Sequence, residues 1–399
     1  MTARIIEIKN RAEAAKEMLA LGVDRPAIAL MADKAVQRIV KLSAVRPVVA
    51  NIIKQEMLAL GGEAATARGA ITHAVKETDV LILGTVKQLM ALIRKLKMGY
   101  FGLPKIALEI ETVLKNYDRP LQKLKIGNKT WELGKRTYIM GILNVTPDSF
   151  SDGGQFSNTD DALAQAEKMK REGADIIDVG GESTRPGARP VKAAEEIKRI
   201  VPVVRELARN NKTLVSVDTR KASVARAALK AGAQMVNDIS GLHYDKKMAG
   251  VIADYQVPVC IMHMQGIPEN MQEKPHYTDL MGEIINYLAE GLAIAEKAGI
   301  LLGKLLVDPG IGFGKTLENN LAILKRLREL KVLGCPILIG PSRKAFIGKV
   351  LDLPVDERLE GTAAAVAIAI AQGADIVRVH DVREMKRVAC LTDALIREK

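Results

Sequence analysis

The sequence has few aromatic residues and few cysteines. Phe, Trp and Tyr make up 3% of the 399 residues, with a single Trp, so aliphatic side chains must build most of the core. The three cysteines, Cys260, Cys335 and Cys390, are far apart, which excludes a dense disulfide framework and a closely spaced thiolate metal site. We therefore expect a protein of a reducing compartment.

Long apolar runs and an N-terminal leader pattern are also missing. The longest apolar run, from Ala363 to Ala371, is far shorter than the roughly 20 residues that a membrane-spanning helix needs. The first residues, Met-Thr-Ala-Arg-Ile-Ile-Glu, contain no apolar segment of the kind that a signal peptide has. These absences predict a cytoplasmic protein with no membrane partner.

Charge is unevenly distributed along the chain. Residues 1–125 contain 21 Lys and Arg against 12 Asp and Glu, whereas the remaining 274 residues contain 38 against 35. The formal net charge of +12 is thus concentrated in the first third. Because few aromatic residues accompany these basic residues, nucleic-acid binding is disfavoured. A solvated basic surface is the simpler interpretation, and docking of a neighbouring subunit, another enzyme or an anionic ligand is the alternative.

From residue 122 onward the sequence is regularly organised. Alternation around Gly127 and Asn128 predicts a β-hairpin, and eight short apolar runs follow, with amphipathic stretches of helical periodicity between them. Eight buried-type strands with intervening helices in about 270 residues predict a (β/α)8 TIM barrel in residues 122–399. An open, doubly wound sheet is the structural alternative. The runs are 138–145, 175–179, 214–217, 235–239, 257–262, 305–307, 337–339 and 376–379, and three of the helical stretches are 160–172, 193–210 and 317–330.

The first 121 residues are less regular and are predicted to form a separate small, basic α/β domain. Their pattern predicts strands over 2–7 and 79–84. It predicts helices over 11–21, 46–60, 85–97 and 104–117. No motif with a known mechanism occurs among these residues, so the sequence assigns this domain no role.

Polar and charged residues follow nearly every predicted barrel strand. In a parallel barrel all carboxyl ends of the strands open on one face, so these groups are expected to meet at one mouth. A single Asp or Asn could simply cap the next helix, but capping does not explain Lys and Arg beside carboxylates. The residues are Asn144, Glu182 to Arg185, Asp218, Arg220, Asn237, Asp238, His263, Asp308, Ser342 to Lys344, Arg378 and His380.

Familiar nucleophile, zinc and nucleotide-binding motifs are absent. The sequence has no Gly-x-Ser-x-Gly, His-Glu-x-x-His or Cys-x-x-Cys, and Pro309 stands where a Walker A loop needs glycine. The remaining Asp and Asn residues suit the N–H and C=O groups of a flat heterocycle, and the Arg, Lys and His residues favour an anion. The pattern therefore predicts a substrate that combines a heterocycle with an anionic group.

Several long motifs resemble those of the dihydropteroate synthase family, and the resemblance covers roughly residues 122–399. It implies a reaction in which p-aminobenzoate displaces pyrophosphate from 6-hydroxymethyl-7,8-dihydropterin diphosphate, which gives 7,8-dihydropteroate for folate synthesis. The family is commonly homodimeric, so the resemblance implies a homodimer as well. The motifs that carry the resemblance are 140–154, 174–187, 216–220, 236–241, 308–315, 340–344 and 378–380.

The resemblance also implies roles for individual residues. The pterin would be bound by Asp218, Asn237, Asp308, Lys344 and Arg378, with Asp308 on its guanidine-like edge and Arg378 stacked over its face. The diphosphate would contact Asn144, Arg185, Arg378 and His380, and Asn144 would also help hold a Mg2+ ion. The ring and carboxylate of p-aminobenzoate would contact Thr184, Phe313 and Ser342. The residues expected to be catalytic are Asp218, Asp308, Lys344 and Arg378.

The residue types predict a dissociative mechanism. With no nucleophile and no obvious strong base, catalysis must come from stabilising the leaving diphosphate and the cation that forms at the pterin methylene. A pterin-binding corrinoid methyltransferase is the alternative function, because it would equally explain Asp218, Asn237 and Asp308. It gives no reason for the turn at 342–344 or for an anion-binding pair at Arg378 and His380.

Overall fold

The chain folds into two compact units, Met1–Arg119 and Pro120–Lys399. The structure is a computed structural model that describes residues 2–119, 122–146, 155–183, 190–209, 213–268 and 270–397, with the backbone alone at 155–158. Across these ranges, no helix combines the length and the apolar character that crossing a membrane would require.

A three-stranded antiparallel sheet lies at the centre of the first unit as the structure describes it. Its strands are β1 (Gln37–Val45), β2 (Glu63–Thr66) and β3 (Thr78–Thr85), in the order β1–β3–β2. The helices of this unit are α1 (Arg11–Ala20), α2 (Arg25–Ala35), α3 (Pro47–Ala59), α4 (Val86–Lys97) and α5 (Leu103–Tyr117). The apolar faces of α3, α4 and α5 pack with the sheet in a core that includes Ile53, Met57, Ile82, Leu89 and Leu92, and α1 and α2 contribute Ala14, Ile28 and Ala32 to a second, smaller cluster.

In this unit, sequence periodicity predicts the amphipathic helices more accurately than the strands. The four predicted helices and the strand over 79–84 are confirmed, with shifts of a residue or two at their ends. The strand predicted over 2–7 is wrong, because Ile5 is 100% exposed and none of the described strands pairs with this segment. Helix α2 and strands β1 and β2 were not predicted. The sequence of β1 is not a continuous apolar run, and its Ile39 and Lys41 are exposed to solvent. The strand is therefore defined by its pairing with β3 and not by a local sequence pattern.

Eight parallel strands form a closed sheet in the described residues of the second unit. The strands are β6 (Tyr138–Asn144), β7 (Ile176–Gly180), β8 (Val215–Asp218), β9 (Met235–Asp238), β10 (Val259–Met262), β11 (Leu305–Asp308), β12 (Leu338–Ile339) and β13 (Ile376–Val379). Their order in the sheet is β11–β10–β9–β8–β7–β6–β13–β12, and a bridge from Val307 to Ile337 links β11 to the segment entering β12. The predicted TIM barrel is therefore confirmed, and the open-sheet alternative is excluded.

Helices alternate with these strands and bury their apolar faces against them. The main core lies between the strands and the helices and is built almost entirely of Val, Ile, Leu and Ala. The predicted helix over 317–330 is α-helical only as far as Arg326, and a 3-10 segment, Leu327–Leu333, follows. The helices are α6 (Gln155–Arg171), α7 (Ala193–Ala208), α8 (Ala222–Ala231), α9 (Met248–Tyr255), α10 (Leu280–Lys297), α11 (Leu317–Arg326), α12 (Ala345–Leu351), α13 (Leu359–Ala371) and α14 (Val382–Ile396).

The predicted hairpin, β4 (Gln122–Ile126) with β5 (Lys129–Leu133), closes the amino-terminal end of the barrel. Its Leu124 and Trp131 pack in one cluster with residues at the starts of the barrel strands, among them Met235 and Leu306. The ring of Trp131 stacks on Tyr138 with 4.2 Å between centroids. Because the hairpin fills this end with apolar side chains, the opposite, carboxyl end is left for polar groups.

Candidate active site

Strand register places four residues side by side at the carboxyl end of the barrel. Asn144 of β6 is paired with Gly180 of β7, Gly180 with Asp218 of β8, and Asp218 with Asn237 of β9. Gly180 has no side chain between the two polar residues: a Cβ there would stand 3.7 Å from Asn144 Oδ1 and 3.6 Å from Asp218 Cβ. Asn144, Asp218 and Asn237 therefore face the same mouth, as the parallel arrangement predicts.

A single guanidinium links two carboxylates across this mouth. Arg378 of β13 donates from Nε to Asp178 Oδ2 over 2.6 Å and from Nη2 to Asp218 Oδ2 over 2.7 Å. Asn237 donates from Nδ2 to the same oxygen of Asp178 over 3.1 Å. Asp178 is completely buried, so its charge is compensated by Arg378 rather than by water.

Asp178 is a site residue that the sequence motifs did not predict. It lies inside β7 rather than at its end, and the motifs gave it no assigned role. A signal was nevertheless present, since a lone Asp interrupts an otherwise apolar run, Ile176 to Val179, in a strand that is buried on both faces. A buried carboxylate in such a strand requires a partner inside the barrel.

Two buried oxygens at this point have no hydrogen-bond partner among the described residues. They are Asp178 Oδ1 and Asn237 Oδ1, which belong to the two side chains joined by the hydrogen bond just described. Buried acceptors are almost always satisfied in folded proteins, so these two neighbouring oxygens are free to accept N–H groups from a ligand that enters the mouth. The pair is thus suited to one edge of a nitrogen-rich heterocycle.

The carboxylates of the mouth are held in a poorly hydrated environment. Burial raises the pKa of Asp218 to about 7, against the opposing effect of Arg378. Burial also raises the pKa of Asp308 to about 6, although the backbone N–H of Gly310 donates to its Oδ1 over 2.7 Å. Each carboxylate would gain by accepting N–H groups from a ligand, because such bonds replace the lost water.

Lys344, Phe313 and Asp308 form the other side of the mouth. The amine of Lys344 lies 4.2 Å from the centre of the Phe313 ring. Burial, assisted by the nearby charge of Arg378, lowers the pKa of Lys344 to about 8. The pterin-binding enzyme family matches residues 140–380, a span that contains every group described so far at this mouth.

The dihydropteroate synthase of Synechocystis sp. is 49% identical over 275 residues, which cover 69% of this chain and 95% of that protein. The chain belongs to the dihydropteroate synthase family. A crystal structure of dihydropteroate synthase from Clostridium difficile, obtained in the presence of pteroic acid, is 50% identical with a TM-score of 0.64. That match covers 67% of this chain and all of the other.

A third relative extends the likeness beyond the barrel. A probable bifunctional folylpolyglutamate synthase/dihydropteroate synthase of Halobacterium salinarum is 42% identical over 362 residues. The match covers 91% of this chain and 43% of that protein. Because this span is longer than the second unit, it includes a large part of the first unit.

Ser342 and His380 are joined to each other. Ser342 Oγ lies 3.0 Å from His380 Nδ1 and accepts the backbone N–H of His380 over 3.2 Å. Burial, together with the charge of Arg378, lowers the pKa of His380 to about 4, so the imidazole is neutral near pH 7. His380 remains a predicted contact of the diphosphate, and a neutral imidazole would make that contact through a hydrogen bond rather than through charge.

Several strand-end residues have structural contacts instead of facing the mouth together. Asp238 accepts the backbone N–H groups of Ser240 and Leu242, as a turn-capping carboxylate does. Arg220 lies with its guanidinium 4.5 Å from the ring centre of Tyr244. Glu182 binds the amine of Lys221 over 2.8 Å. The contacts of these residues are explained by a role in local structure, and they do not require a role in substrate binding.

The expected residues Thr184 and Arg185 lie outside the described residues. Within the ranges that the structure describes, no group of three or more His, Cys, Asp or Glu side chains is arranged to hold a metal ion. The described part of the site is built mainly from the amides of Asn144 and Asn237, a set of buried carboxylates and the cations Arg378 and Lys344.

Proposed function

We propose that this protein catalyses the dihydropteroate synthase reaction, in which p-aminobenzoate displaces pyrophosphate from 6-hydroxymethyl-7,8-dihydropterin diphosphate. The observation that carries the proposal is the pair of unsatisfied buried oxygens, Asp178 Oδ1 and Asn237 Oδ1, beside the carboxylates of Asp218 and Asp308. A pterin has the row of N–H donors that such a set of acceptors requires.

In the proposed complex, Asp308 accepts the guanidine-like edge of the pterin, and Asn237 and Asp218 bind its other ring nitrogens. Lys344 donates to the ring carbonyl, and Arg378 lies over the ring face as a stacking cation. The contacts of Arg378 with Asp178 and Asp218 support this arrangement, because they hold the guanidinium across the mouth before substrate arrives.

The diphosphate is proposed to lie near Asn144 and His380, with Arg185 and Arg378 supplying positive charge. A Mg2+ ion fits this end of the site: Asn144 provides one amide oxygen beside the Asp218 carboxylate, and Mg2+ commonly uses one or two protein oxygens together with phosphate and water. When bound, the ion would neutralise charge on the departing diphosphate. His380, which is neutral near pH 7, would serve as a hydrogen-bonding group there.

The aniline substrate is proposed to bind between Thr184, Phe313 and Ser342. Phe313 offers a buried ring, 8% exposed, to the ring of p-aminobenzoate, and Ser342 offers a hydroxyl to its carboxylate. The Lys344 amine over the Phe313 ring supports this placement, since it brings the two substrate sites into contact.

The proposed mechanism is dissociative substitution at the pterin methylene. The electron-rich pterin would delocalise positive charge as the bond to diphosphate breaks, and the buried carboxylate of Asp308 would stabilise that charge. The aniline nitrogen then forms a bond to the methylene carbon, and the proton of the resulting anilinium passes to the released pyrophosphate or to water. Such a path needs no strong base, which agrees with a neutral His380 and with the lack of a nucleophile motif.

The corrinoid methyltransferase alternative is not favoured. The curated relatives that match at 49% to 50% identity over nearly their whole length are named dihydropteroate synthases. We therefore assign the pterin-binding residues, which both functions would require, to the synthase reaction.

We also propose that residues 122–399 form a complete catalytic domain, that residues 1–121 form a separate small domain, and that the protein is a cytoplasmic homodimer. Exposed apolar residues on α13 and α14 support a subunit interface there: Ile368 is 51% exposed, Leu391 66% and Leu395 76%. All three cysteines are free thiols, which suits a reducing compartment. The variant Leu391→Asp with Leu395→Asp should be monomeric by size-exclusion chromatography with light scattering.

The experiment that tests the function measures pyrophosphate release with and without p-aminobenzoate. Full-length protein and a fragment that begins at Pro120 should both release pyrophosphate only when both substrates are present, and product should be identified by mass spectrometry. Release that does not depend on p-aminobenzoate, or methyl transfer to a cobalt cofactor, would contradict the proposal. Activity in the full-length protein alone would contradict the assignment of a complete site to the barrel.

A further inference from the structure

A buried lysine beside the proposed aniline pocket has no role in the mechanism described so far. Lys315 is 3% exposed, and its amine lies 2.9 Å from His263 Nδ1 and 3.0 Å from the backbone oxygen of Phe313. It therefore ties the loop after β11 to the strand end of β10. Burying an amine is unfavourable, so its retention at this point calls for an explanation.

The loop from 310 to 314 is pressed against the backbone that follows β10. Gly310, Gly312 and Gly314 have φ values of +68°, +82° and +60°, which favour glycine. A Cβ on Gly310 would stand 1.9 Å from the backbone oxygen of His263, and one on Gly314 would stand 2.3 Å from that of Gln265. The backbone of this loop is thus closely packed against its neighbours, and the Phe313 ring attached to it has little freedom to move.

Side chains from two directions hold the backbone of this loop. Asn320 Oδ1 accepts the N–H of Gly312 over 2.7 Å, and Tyr277 donates from its hydroxyl to the oxygen of Gly314 over 2.7 Å. Gln272 donates to the oxygen of Gly312 over 2.5 Å. Lys315 supplies the remaining contact, to the oxygen of Phe313. Every carbonyl from Gly312 to Gly314 is therefore bound by a side chain.

The loop from 310 to 314 holds the ring of Phe313 beside the proposed aniline pocket. The ring packs in a small cluster with Ile239, Met262, Met264 and Met271, and its face receives the Lys344 amine at 4.2 Å. A shift of the loop would move the ring relative to Lys344 and Ser342, which bound the same pocket.

We propose that Lys315 is a positioning residue that fixes the Phe313 ring and thereby sets the affinity for p-aminobenzoate. The inference rests on the proposed function for the identity of the ligand. The position of the loop itself does not depend on that function. Lys315 acts through Phe313 and touches neither substrate.

The chemistry of the pair suits a permanent structural contact. Burial and the charge of Lys315 lower the pKa of His263 to about 2, so its ring is neutral and Nδ1 can accept. Burial lowers the pKa of Lys315 to about 7, against the opposing effect of Asp308. The amine donates hydrogen bonds whether it is charged or neutral, so the contact persists as it titrates.

The test compares Lys315→Met with a matched control, Lys304→Met. Methionine has similar length and no donor, so it leaves His263 Nδ1 and the Phe313 oxygen unbound. Lys304 lies immediately before β11, whereas Lys315 lies in the segment that follows β11. The Lys304 amine also binds a backbone oxygen, that of Gln256. Steady-state kinetics for both substrates and hydrogen exchange by mass spectrometry over 309–316 are measured on the full chain.

For Lys315→Met, kcat/KM for p-aminobenzoate should fall on the order of 10- to 100-fold, mainly through KM. The KM for the pterin diphosphate should change by less than about twofold. Amides of 309–316 should exchange at least about tenfold faster than in the Lys304→Met protein. If Lys315→Met does not fold, Tyr277→Phe removes another anchor of the loop and should shift the same KM in the same direction.

The proposal is overturned if folded Lys315→Met has the same KM for p-aminobenzoate as the control, or if the KM values of both substrates rise in parallel. Failure of the proposed function looks different, because wild-type protein would then make no dihydropteroate. In that case hydrogen exchange decides: faster exchange of 309–316 in Lys315→Met alone supports the positioning role, and equal exchange in both variants refutes it.

Discussion

Replacing Asp178 by Asn should weaken both the barrel and its affinity for a pterin. The buried carboxylate accepts from Arg378 Nε over 2.6 Å and from Asn237 Nδ2 over 3.1 Å. Asn has the same shape but no charge, so Arg378 keeps only the Asp218 carboxylate as a charged partner at 2.7 Å. The positions of the guanidinium and of the Asn237 amide are then less well defined.

The magnitude follows from the number of bonds affected. Hydrogen bonds to charged groups contribute about 1.5–3 kcal/mol each, and Asn retains one acceptor, so we expect the free energy of unfolding to fall by about 2–4 kcal/mol. In a domain of this size that corresponds to a Tm lower by roughly 5–10 °C. Removing the Asp178 charge should also lower the pKa of Asp218, since that charge helps to raise it.

The assay pairs thermal unfolding by circular dichroism with calorimetric titration of a pterin. Asp175→Asn is the matched control: Asp175 stands just before β7 at the opposite end of the barrel and binds Arg136 over 2.7 Å and 2.9 Å. Both variants should lose Tm, and only Asp178→Asn should lose pterin affinity, on the order of tenfold. Equal pterin affinity in the two variants would refute the role of Asp178 in pterin binding, and an unchanged Tm in Asp178→Asn would refute the energetic argument.

Three further predictions concern the mouth. Lys344→Ala should reduce pterin affinity by about 10- to 100-fold in calorimetry with little change in Tm, because among the described residues its amine lies over the Phe313 ring and forms no hydrogen bond or ion pair. Tight pterin binding by this variant would contradict the assignment of Lys344. The raised pKa of Asp308, about 6 against an ordinary value of 3.8, means that its contribution to stability is lost as pH rises from about 4 to about 6. Urea unfolding across that window should show a decline in wild type that is smaller in Asp308→Asn, and identical slopes would contradict the shift. Gly310→Ala should lower Tm by more than about 10 °C or prevent folding, because its Cβ would meet the backbone oxygen of His263; a stable variant would show that the loop can move.

The eight barrel strands and the hairpin were predictable because their signals are local. Each strand is a short apolar run bounded by polar turns, and a strand that is buried on both faces needs little else. The gathering of Asn144, Asp218 and Asn237 at one mouth followed from topology, since parallel strands end on the same face. In the first unit, β1 and β2 had weak local patterns, and their pairing with β3 decided them.

By itself, the sequence determined the barrel, the face on which its polar groups meet, and the family whose motifs it carries. The tertiary structure alone decided which groups are bonded to one another. Arg378 and Asp178 are separated by 200 positions, and Lys315 and His263 by 52, so no local pattern records either contact. The tertiary structure also decided the protonation state of His380. Its imidazole is neutral near pH 7 because burial disfavours the imidazolium, and that burial comes from residues distant in sequence that pack around the ring.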